Sequence, residues 1–371
     1  MRRPLVALFV PSLAGGGAER NMARLASGLA GLGYEAELVV ASAEGPHRAE
    51  VAPATIVDLR ARRVASALPG LVRYLRRRHP AALISSHEHG NMVAVIARRL
   101  AGTRVPVIAT LRSTLSEQAR LAPGWRDRLL LPGMGRVLYP SAEVIIALSH
   151  GAAVDAEAWL GLAPGTVRVI ANPVIDASFH ERAAARIDHL LLASGRPLIL
   201  AAGRLTPEKD YPTLLEAFAR LRRTGSEASL VIIGEGRERA ALEHQAKALG
   251  IGGDVALPGH VPNPAAWMAR ARVFALSSRY EGLPTVLIEA VAAGASVVAT
   301  DCRSGPREIL DGGRLGHLVP VGDAAGFAHA LEKALREPAP VASPADLARY
   351  TAEEVLASWV SVLGEVGVPA P

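Results

Sequence analysis

Tyr280-Glu281-Gly282-Leu283-Pro284-Thr285-Val286-Leu287-Ile288-Glu289-Ala290 follows the apolar run Val273–Ala275 and leads into a segment rich in alanine and valine. A buried strand, a short turn and a helix in this order form the repeating unit of a parallel sheet with crossover helices. Pro284 suits the first helical position, where its missing N–H costs nothing. The amides of Leu283, Thr285 and Val286 are then expected at the carboxyl edge of the sheet. Open α/β sheets bind ligands at that edge, and a helix start there favours anions. Glu281 just before the helix and Glu289 inside it are out of place beside a phosphate alone. They fit a ligand that also offers hydroxyls, which donate charge-assisted hydrogen bonds to carboxylates. Two surface glutamates on an ordinary helix are the plainer alternative.

The same alternation runs outward in both directions. In the first half, strands are predicted at Pro4–Val10, Ala36–Val40, Thr55–Asp58, Ala82–Ser85, Val105–Ala109, Val144–Ala147 and Val167–Ile170. In the second half they fall at Pro197–Ala201, Ser229–Ile233, Val255–Leu257, Val273–Ala275, Ser296–Ala299 and His317–Val319. Amphipathic segments such as Tyr211–Arg223 and Arg237–Leu249 lie between them. The fold class is therefore α/β, with two doubly wound units. Asn172-Pro173 and Gly195-Arg196-Pro197 bracket the domain boundary, and Glu181–Ala193 is a candidate linker helix.

Composition limits the partners. The chain of 371 residues holds 41 Lys+Arg and 35 Asp+Glu, a net charge of +6. Half of it is hydrophobic, which fits a globular protein and excludes a disordered or collagen-like chain. Cys302 is the single cysteine, so an internal disulfide framework and multi-cysteine metal sites are excluded. Met1-Arg2-Arg3 and the short apolar run Leu5–Val10 read as the first buried strand; a signal peptide cleaved near Ala14–Ala18 is the alternative. A cytoplasmic protein is expected. Residues 1–186 carry 23 basic and 14 acidic residues, against 18 and 21 in 187–371. A basic first half points to an anionic partner, such as a membrane surface or a phosphorylated acceptor, or else to a solvated arginine-rich surface.

Further turns at the same edge carry chemistry. Gly203-Arg204-Leu205-Thr206-Pro207-Glu208-Lys209 places two cations five residues apart between a strand and a helix, where they can converge on one diphosphate. Only three lysines occur in the chain, so Lys209 stands out. Ile233-Gly234-Glu235-Gly236 is another strand ending in a glycine turn that permits close backbone approach. Gly15-Gly16-Gly17-Ala18-Glu19 opens a helix after the first strand, with Arg20 where a dinucleotide fingerprint needs its third glycine. In the first half, His87 and Arg112 each end a strand; a lone His87-x-His89 is a poor metal signal, and no metal is expected.

Taken in order, these motifs resemble the retaining nucleotide-sugar glycosyltransferases of family 4 (glycosyl transferases group 1). The resemblance also rests on Leu148-Ser149, Ile170-Ala171-Asn172-Pro173-Val174, Gly305-Pro306-Arg307-Glu308-Ile309 and Gly316-His317-Leu318-Val319-Pro320. It implies the GT-B fold, two Rossmann-like domains facing across a cleft. Residues 1–180 would bind the acceptor, 181–345 the nucleotide-sugar, and 346–371 would hold a last helix crossing back to the first domain. Arg204 and Lys209 would hold the diphosphate, Glu281 the donor sugar and Glu289 the ribose. Gly16, Gly17, Gly203, Glu235, Val261, Leu283, Thr285 and Val286 would complete donor binding. Many relatives carry a histidine where this chain has Arg112, so Arg112 and His87 are both candidates for the donor-sugar or acceptor pocket.

The resemblance further implies no cofactor and no metal, a nucleotide-sugar donor (UDP first) and a glycan or polyprenyl-diphosphate-linked acceptor. Arg73–Arg78 and Arg120–Arg136, the latter with Trp125 and Leu129–Leu131, mix basic and apolar residues. They read as a surface for peripheral contact with an anionic membrane or as ordinary amphipathic helices. The alternatives are a nucleotide-sugar epimerase of the same fold and an NAD(P)-dependent oxidoreductase, the latter disfavoured by the missing glycine. Nucleic acid is not an expected partner, since no helix-turn-helix or aromatic platform is present.

Overall fold

The structure, a computed structural model, describes residues 3–13, 17–121, 133–187, 195–338 and 340–371. The chain divides into two compact units, 1–173 with 350–371, and 174–349.

The first unit is built on seven parallel strands, in the order β3-β2-β1-β4-β5-β6-β7. They are β1 (Leu5–Ser12), β2 (Glu35–Ser42), β3 (Thr55–Asp58), β4 (Ala82–Ser86), β5 (Val107–Leu111), β6 (Val144–Ala147) and β7 (Val167–Val169). Successive side chains of a strand point to opposite faces, and β1 shows the consequence. Val6, Leu8 and Val10 join one core with Leu25 and Leu29 of the helix Gly17–Gly31. Ala7 and Phe9 join another with Leu71 and Leu75 of the helix Leu68–Arg78. Both faces of the sheet are covered, so its central strands read as unbroken apolar runs rather than alternating ones.

The second unit has six parallel strands, in the order β10-β9-β8-β11-β12-β13. They are β8 (Leu198–Ala202), β9 (Ser229–Ile233), β10 (Val255–Gly259), β11 (Val273–Leu276), β12 (Ser296–Thr300) and β13 (His317–Val319). Ile199 and Ala201 of β8 pack with Leu214, Leu215 and Phe218 of the helix Tyr211–Arg223, and with Phe327 and Leu331 of the helix Ala324–Arg336. Every predicted strand is present, with ends shifted by at most two residues.

The expected domain limits move. The first boundary falls at 173/174 rather than 180/181, because Val174 and Phe179 are already buried and the Asn263 side chain donates to the Arg182 carbonyl at 2.8 Å. The second falls at 349/350 rather than 345/346. The last helix, Ala352–Glu365, starts at Thr351, whose hydroxyl accepts from the Glu354 amide. Val355, Trp359, Val362 and Leu363 enter the β1 core of the first unit. The candidate linker helix is observed only as Phe179–Ala184; residues 188–194 lie outside the described residues, as do Gly16 and, within Arg120–Arg136, residues 122–132. Among the described residues no helix is long and apolar enough to cross a membrane.

Candidate functional site

β8 and β11 are neighbours in the second sheet although about 70 residues separate them, with Ile199 level with Val273. Their carboxyl ends therefore deliver two loops side by side, Gly203–Asp210 and Ser277–Pro284. The Lys209 ammonium donates to Glu281 Oε1 at 2.6 Å, with the two side chains only 16% and 12% exposed. Ser278 Oγ donates to the same carboxylate oxygen at 2.7 Å, and Ser304 Oγ donates to the Glu281 carbonyl at 2.6 Å. Glu281 is thus held by a cation, a hydroxyl and a backbone anchor.

Pro284 is not the first helical residue. With ψ 97 it caps the helix, which runs Thr285–Ala292. The opening N–H groups of this helix have no intrahelical partner, which favours an anion at that end. Leu283 is buried, while Thr285 and Val286 are half-buried. Glu289, also half-buried, lies four residues beyond Thr285 and so on the same helix face.

Arg204 is 69% exposed and pairs at 3.3 Å with Glu208, whose carboxylate also accepts from Thr206 Oγ1 at 2.6 Å. Each of the two expected diphosphate cations therefore faces a carboxylate here, and they are not turned on a common point. The Tyr211 phenol, which a side chain at Gly203 would meet at 3.0 Å, is pushed above its usual range by burial and further by the Glu281 and Glu208 charges.

The glycines of Ile233-Gly234-Glu235-Gly236 have a use that the sequence alone did not reveal. A β-carbon on Gly234, at φ 138, would sit 1.9 Å from the Gly203 carbonyl oxygen, and one on Gly236 would sit 2.3 Å from that of Leu205. The close approach is between loops. Gly203 N donates to the Ile233 carbonyl at 2.9 Å, Leu205 N to the Glu235 carbonyl at 2.9 Å, and Gly234 N to the Gly259 carbonyl at 2.8 Å. Glu235 pairs with Arg239 at 2.6 Å, which draws its carboxyl below the usual range, and lies over Gly259; Val261, two residues on, is buried.

His87 and Arg112 meet in the first unit. His87 takes φ 67 as it caps the helix Glu88–Ala101, which turns its ring toward Glu19 (Nε2 to Oε1, 3.6 Å) and Ser86 Oγ (3.3 Å from Nδ1). Arg112 donates to Ser86 Oγ at 2.9 Å and Asn172 Oδ1 at 2.7 Å, and touches the Met22 sulfur. Burial pushes the Arg112 guanidinium down to about 10, with Glu19 opposing. Burial also lowers His87, again with Glu19 opposing and Arg112 adding to the fall. Gly17 opens the helix that carries Glu19. Beside the second-unit site, burial pushes the Cys302 thiol up to about 12. Among the described residues, no three of His, Cys, Asp and Glu gather as metal ligands.

Sequence reasoning passed over Ser277, Ser278, Arg279, Ser304 and Arg239. Serines and arginines this common stand out in no motif; Ser278 and Arg239 reach Glu281 and Glu235 three and four residues away, while Ser277, Arg279 and Ser304 meet their partners only through the strand order.

Comparison with known proteins adds descent to this geometry. Residues 15–177 match the profile of Glycosyltransferase Family 4, and residues 184–354 that of Glycosyl transferases group 1. The chain is 30% identical over 302 residues to the 2-deoxystreptamine glucosyltransferase of Streptomyces kanamyceticus, covering 77% of this chain and 76% of that one. It is 33% identical over 185 residues to N-acetylgalactosamine-N,N'-diacetylbacillosaminyl-diphospho-undecaprenol 4-alpha-N-acetylgalactosaminyltransferase of Campylobacter jejuni, covering 50% of this chain and 48% of that one. The chain spans about half the length, or less, of several curated relatives it matches. Anabaena HepE, solved with UDP and glucose, superposes with a TM-score of 0.80 at 18% identity over 98% of this chain and 100% of that one. That likeness establishes the GT-B fold. With two profiles dividing nearly the whole chain and one relative aligned across three quarters of both lengths, the chain belongs to the glycosyltransferases of family 4, group 1.

Proposed function

We propose that this chain is a glycosyltransferase that moves a sugar from a nucleotide-sugar, UDP-linked by first choice, to a lipid-linked glycan acceptor in surface polysaccharide or glycolipid assembly. The observation that carries this reading is the Lys209–Glu281 pair on adjacent loops, beside the start of the helix Thr285–Ala292. A cation and free amides suit a diphosphate, and a carboxylate suits sugar hydroxyls. The name of the Campylobacter relative supports the acceptor class, and UDP in HepE supports the nucleotide.

In this reading Lys209 turns to the donor diphosphate with Arg204 and the amides of Leu283, Thr285 and Val286. Glu281 then accepts hydrogen bonds from the sugar, and Glu289 from the ribose. Glu235 and Val261 border the base, and Gly203 lets donor and backbone approach. The acceptor hydroxyl attacks the anomeric carbon on the face from which the diphosphate leaves. The anomeric carbon–oxygen bond to phosphate breaks, the new glycosidic bond forms, and the departing phosphate oxygen takes the hydroxyl proton, so configuration is retained. The two cations, once turned to the diphosphate, supply the electrostatic stabilisation a metal would otherwise give.

Peripheral membrane contact belongs to the same reading. Leu68, Pro69, Val72, Arg73, Arg76, Arg77 and Leu100 line a groove of about 620 Å³ on the first unit. Apolar walls beside arginines suit an anionic lipid surface. Sedimentation with phosphatidylglycerol vesicles, and not with phosphatidylcholine vesicles, is the expected result.

The test of the donor is thermal stabilisation by UDP, GDP, ADP and NAD, with and without EDTA. A ligand that binds only the folded state raises the melting point. A shift with one nucleoside diphosphate that survives EDTA is expected. A shift with NAD alone, or with none of the four, overturns the proposal.

A further inference from the structure

The two loops that carry Lys209 and Glu281 are joined a second time, one residue beyond Lys209 and two before Glu281. Asp210 is 2% exposed on its side chain, and its Oδ1 accepts from Arg279 Nη2 at 3.1 Å while its Oδ2 accepts from Thr213 Oγ1 at 3.0 Å. Its backbone takes φ 49, a left-handed conformation that aspartate tolerates better than most residues. The carboxylate also sits at the start of the helix Tyr211–Arg223, where negative charge is favoured. The Arg279 amide donates to the Glu208 carbonyl at 2.8 Å, and Ser277 Oγ donates to the Lys209 carbonyl at 2.7 Å. Arg279 itself is 54% exposed, the profile of a solvent-facing residue, yet both its backbone and its side chain cross to the other loop.

We infer that Arg279 is a positioning residue, which through the buried Asp210 carboxylate and the Glu208 carbonyl holds the Gly203–Asp210 and Ser277–Pro284 loops at a fixed separation. The inference rests on the proposed roles of Lys209 and Glu281. Their mutual ion pair has to open whenever Lys209 turns to a diphosphate, so that contact cannot also be what keeps the loops together. The Arg279–Asp210 pair touches neither partner and persists through the exchange. Preorganised sites lose rate steeply when a supporting contact lets the reacting groups drift by a fraction of an ångström.

The test compares Arg279→Gln, Arg279→Lys and Asp210→Asn with Lys209→Ala and Glu281→Ala in the full chain. Affinity for the nucleotide found in the panel is measured by calorimetry, and release of that nucleotide from its sugar donor is followed in steady state. Arg279→Gln is expected to lower turnover by roughly ten- to a hundred-fold, as misplacement away from the reacting atoms does, while nucleotide affinity changes by less than about threefold. Arg279→Lys restores most of the rate, because a point charge still reaches Asp210. In the Lys209→Ala background, Arg279→Gln costs less than in the parent chain, since the spacing it sets then serves Glu281 without its partner. Equal losses in both backgrounds, or unchanged turnover in Arg279→Gln, overturn the inference while the site reading stands. Unimpaired turnover in Lys209→Ala and Glu281→Ala overturns the site reading itself. Asp210→Asn, which keeps the volume, guards against misfolding: a drop in melting point with turnover intact in the folded fraction counts against positioning.

Discussion

At the carboxyl edge of the second sheet, Lys209 and Glu281 meet on loops after β8 and β11; at the same edge of the first, His87 and Arg112 sit just after β4 and β5. Both edges place a basic side chain beside a carboxylate, with Glu19 3.6 Å from the His87 imidazole in the first unit. In the second unit the contact joins two loops through an ammonium and a carboxylate, the pair proposed above to open for a donor. In the first, Arg112 spends its donors on Ser86 and Asn172, fixtures of the fold itself. Parallel α/β sheets thus offer the same edge for exchangeable and for bracing contacts, and the partners decide which.

The contrast is open to direct attack, starting where the effect is greatest. Glu281→Ala is expected to cut sugar transfer by roughly a hundred- to a thousand-fold, the scale of losing one preorganised electrostatic contact, with the chain still folded and only a small change in melting point from the stranded Lys209 and Ser278 donors. Wild-type rates would remove the second edge from the chemistry. Gly234→Ala forces a β-carbon against the Gly203 carbonyl and should destabilise the second unit by about 3 kcal/mol, read from urea unfolding. Arg112→Ala strands the Ser86 and Asn172 groups and should cost about 2 kcal/mol while leaving nucleotide stabilisation intact. Loss of nucleotide binding in that variant would instead put Arg112 in a ligand pocket.

A pH effect is smaller and has a definite sign. Burial lowers the His87 pKa in the folded chain, so between the folded value and about 6.5 the unfolded chain binds more protons. Stability should therefore fall as pH drops below about 6.5 and level off below the folded value. His87→Gln should flatten that part of the melting curve against pH; an unchanged slope would assign it to another group. Smallest of all, the Cys302 thiol, buried and pushed up to about 12, should resist iodoacetamide at pH 8 in the folded protein and react once unfolded.

Much of this molecule was legible before any coordinate. Thr55–Asp58, Val144–Ala147, Ser229–Ile233 and His317–Val319 are observed with the predicted ends, and Tyr211–Arg223 is the predicted helix. Strands covered on both faces must be apolar throughout, and a surface helix must be apolar along one stripe, so burial writes itself locally into the chain. Pro284 shows the limit of such reading: proline marks a helix start but does not say whether it lies just inside or just outside. The ordered loop motifs were also readable, because a strand–turn–helix start needs glycine and proline at set places.

Strand order supplied what local pattern does not carry. β8 lies beside β11 and β9 rather than following one direction along the chain, and that placement brings Lys209 to Glu281 across 72 positions; in the other sheet the order β5-β6-β7 brings Arg112 to Asn172 across 60. It turned the Gly234 and Gly236 positions into spacers between loops, gave the exposed Arg279 a buried carboxylate to hold, and returned the last helix to the core of β1. Hydrophobic periodicity records whether a residue is buried, which depends on its own element. Which residues then face one another depends on how the elements are ordered, and that is settled only when the sheets assemble.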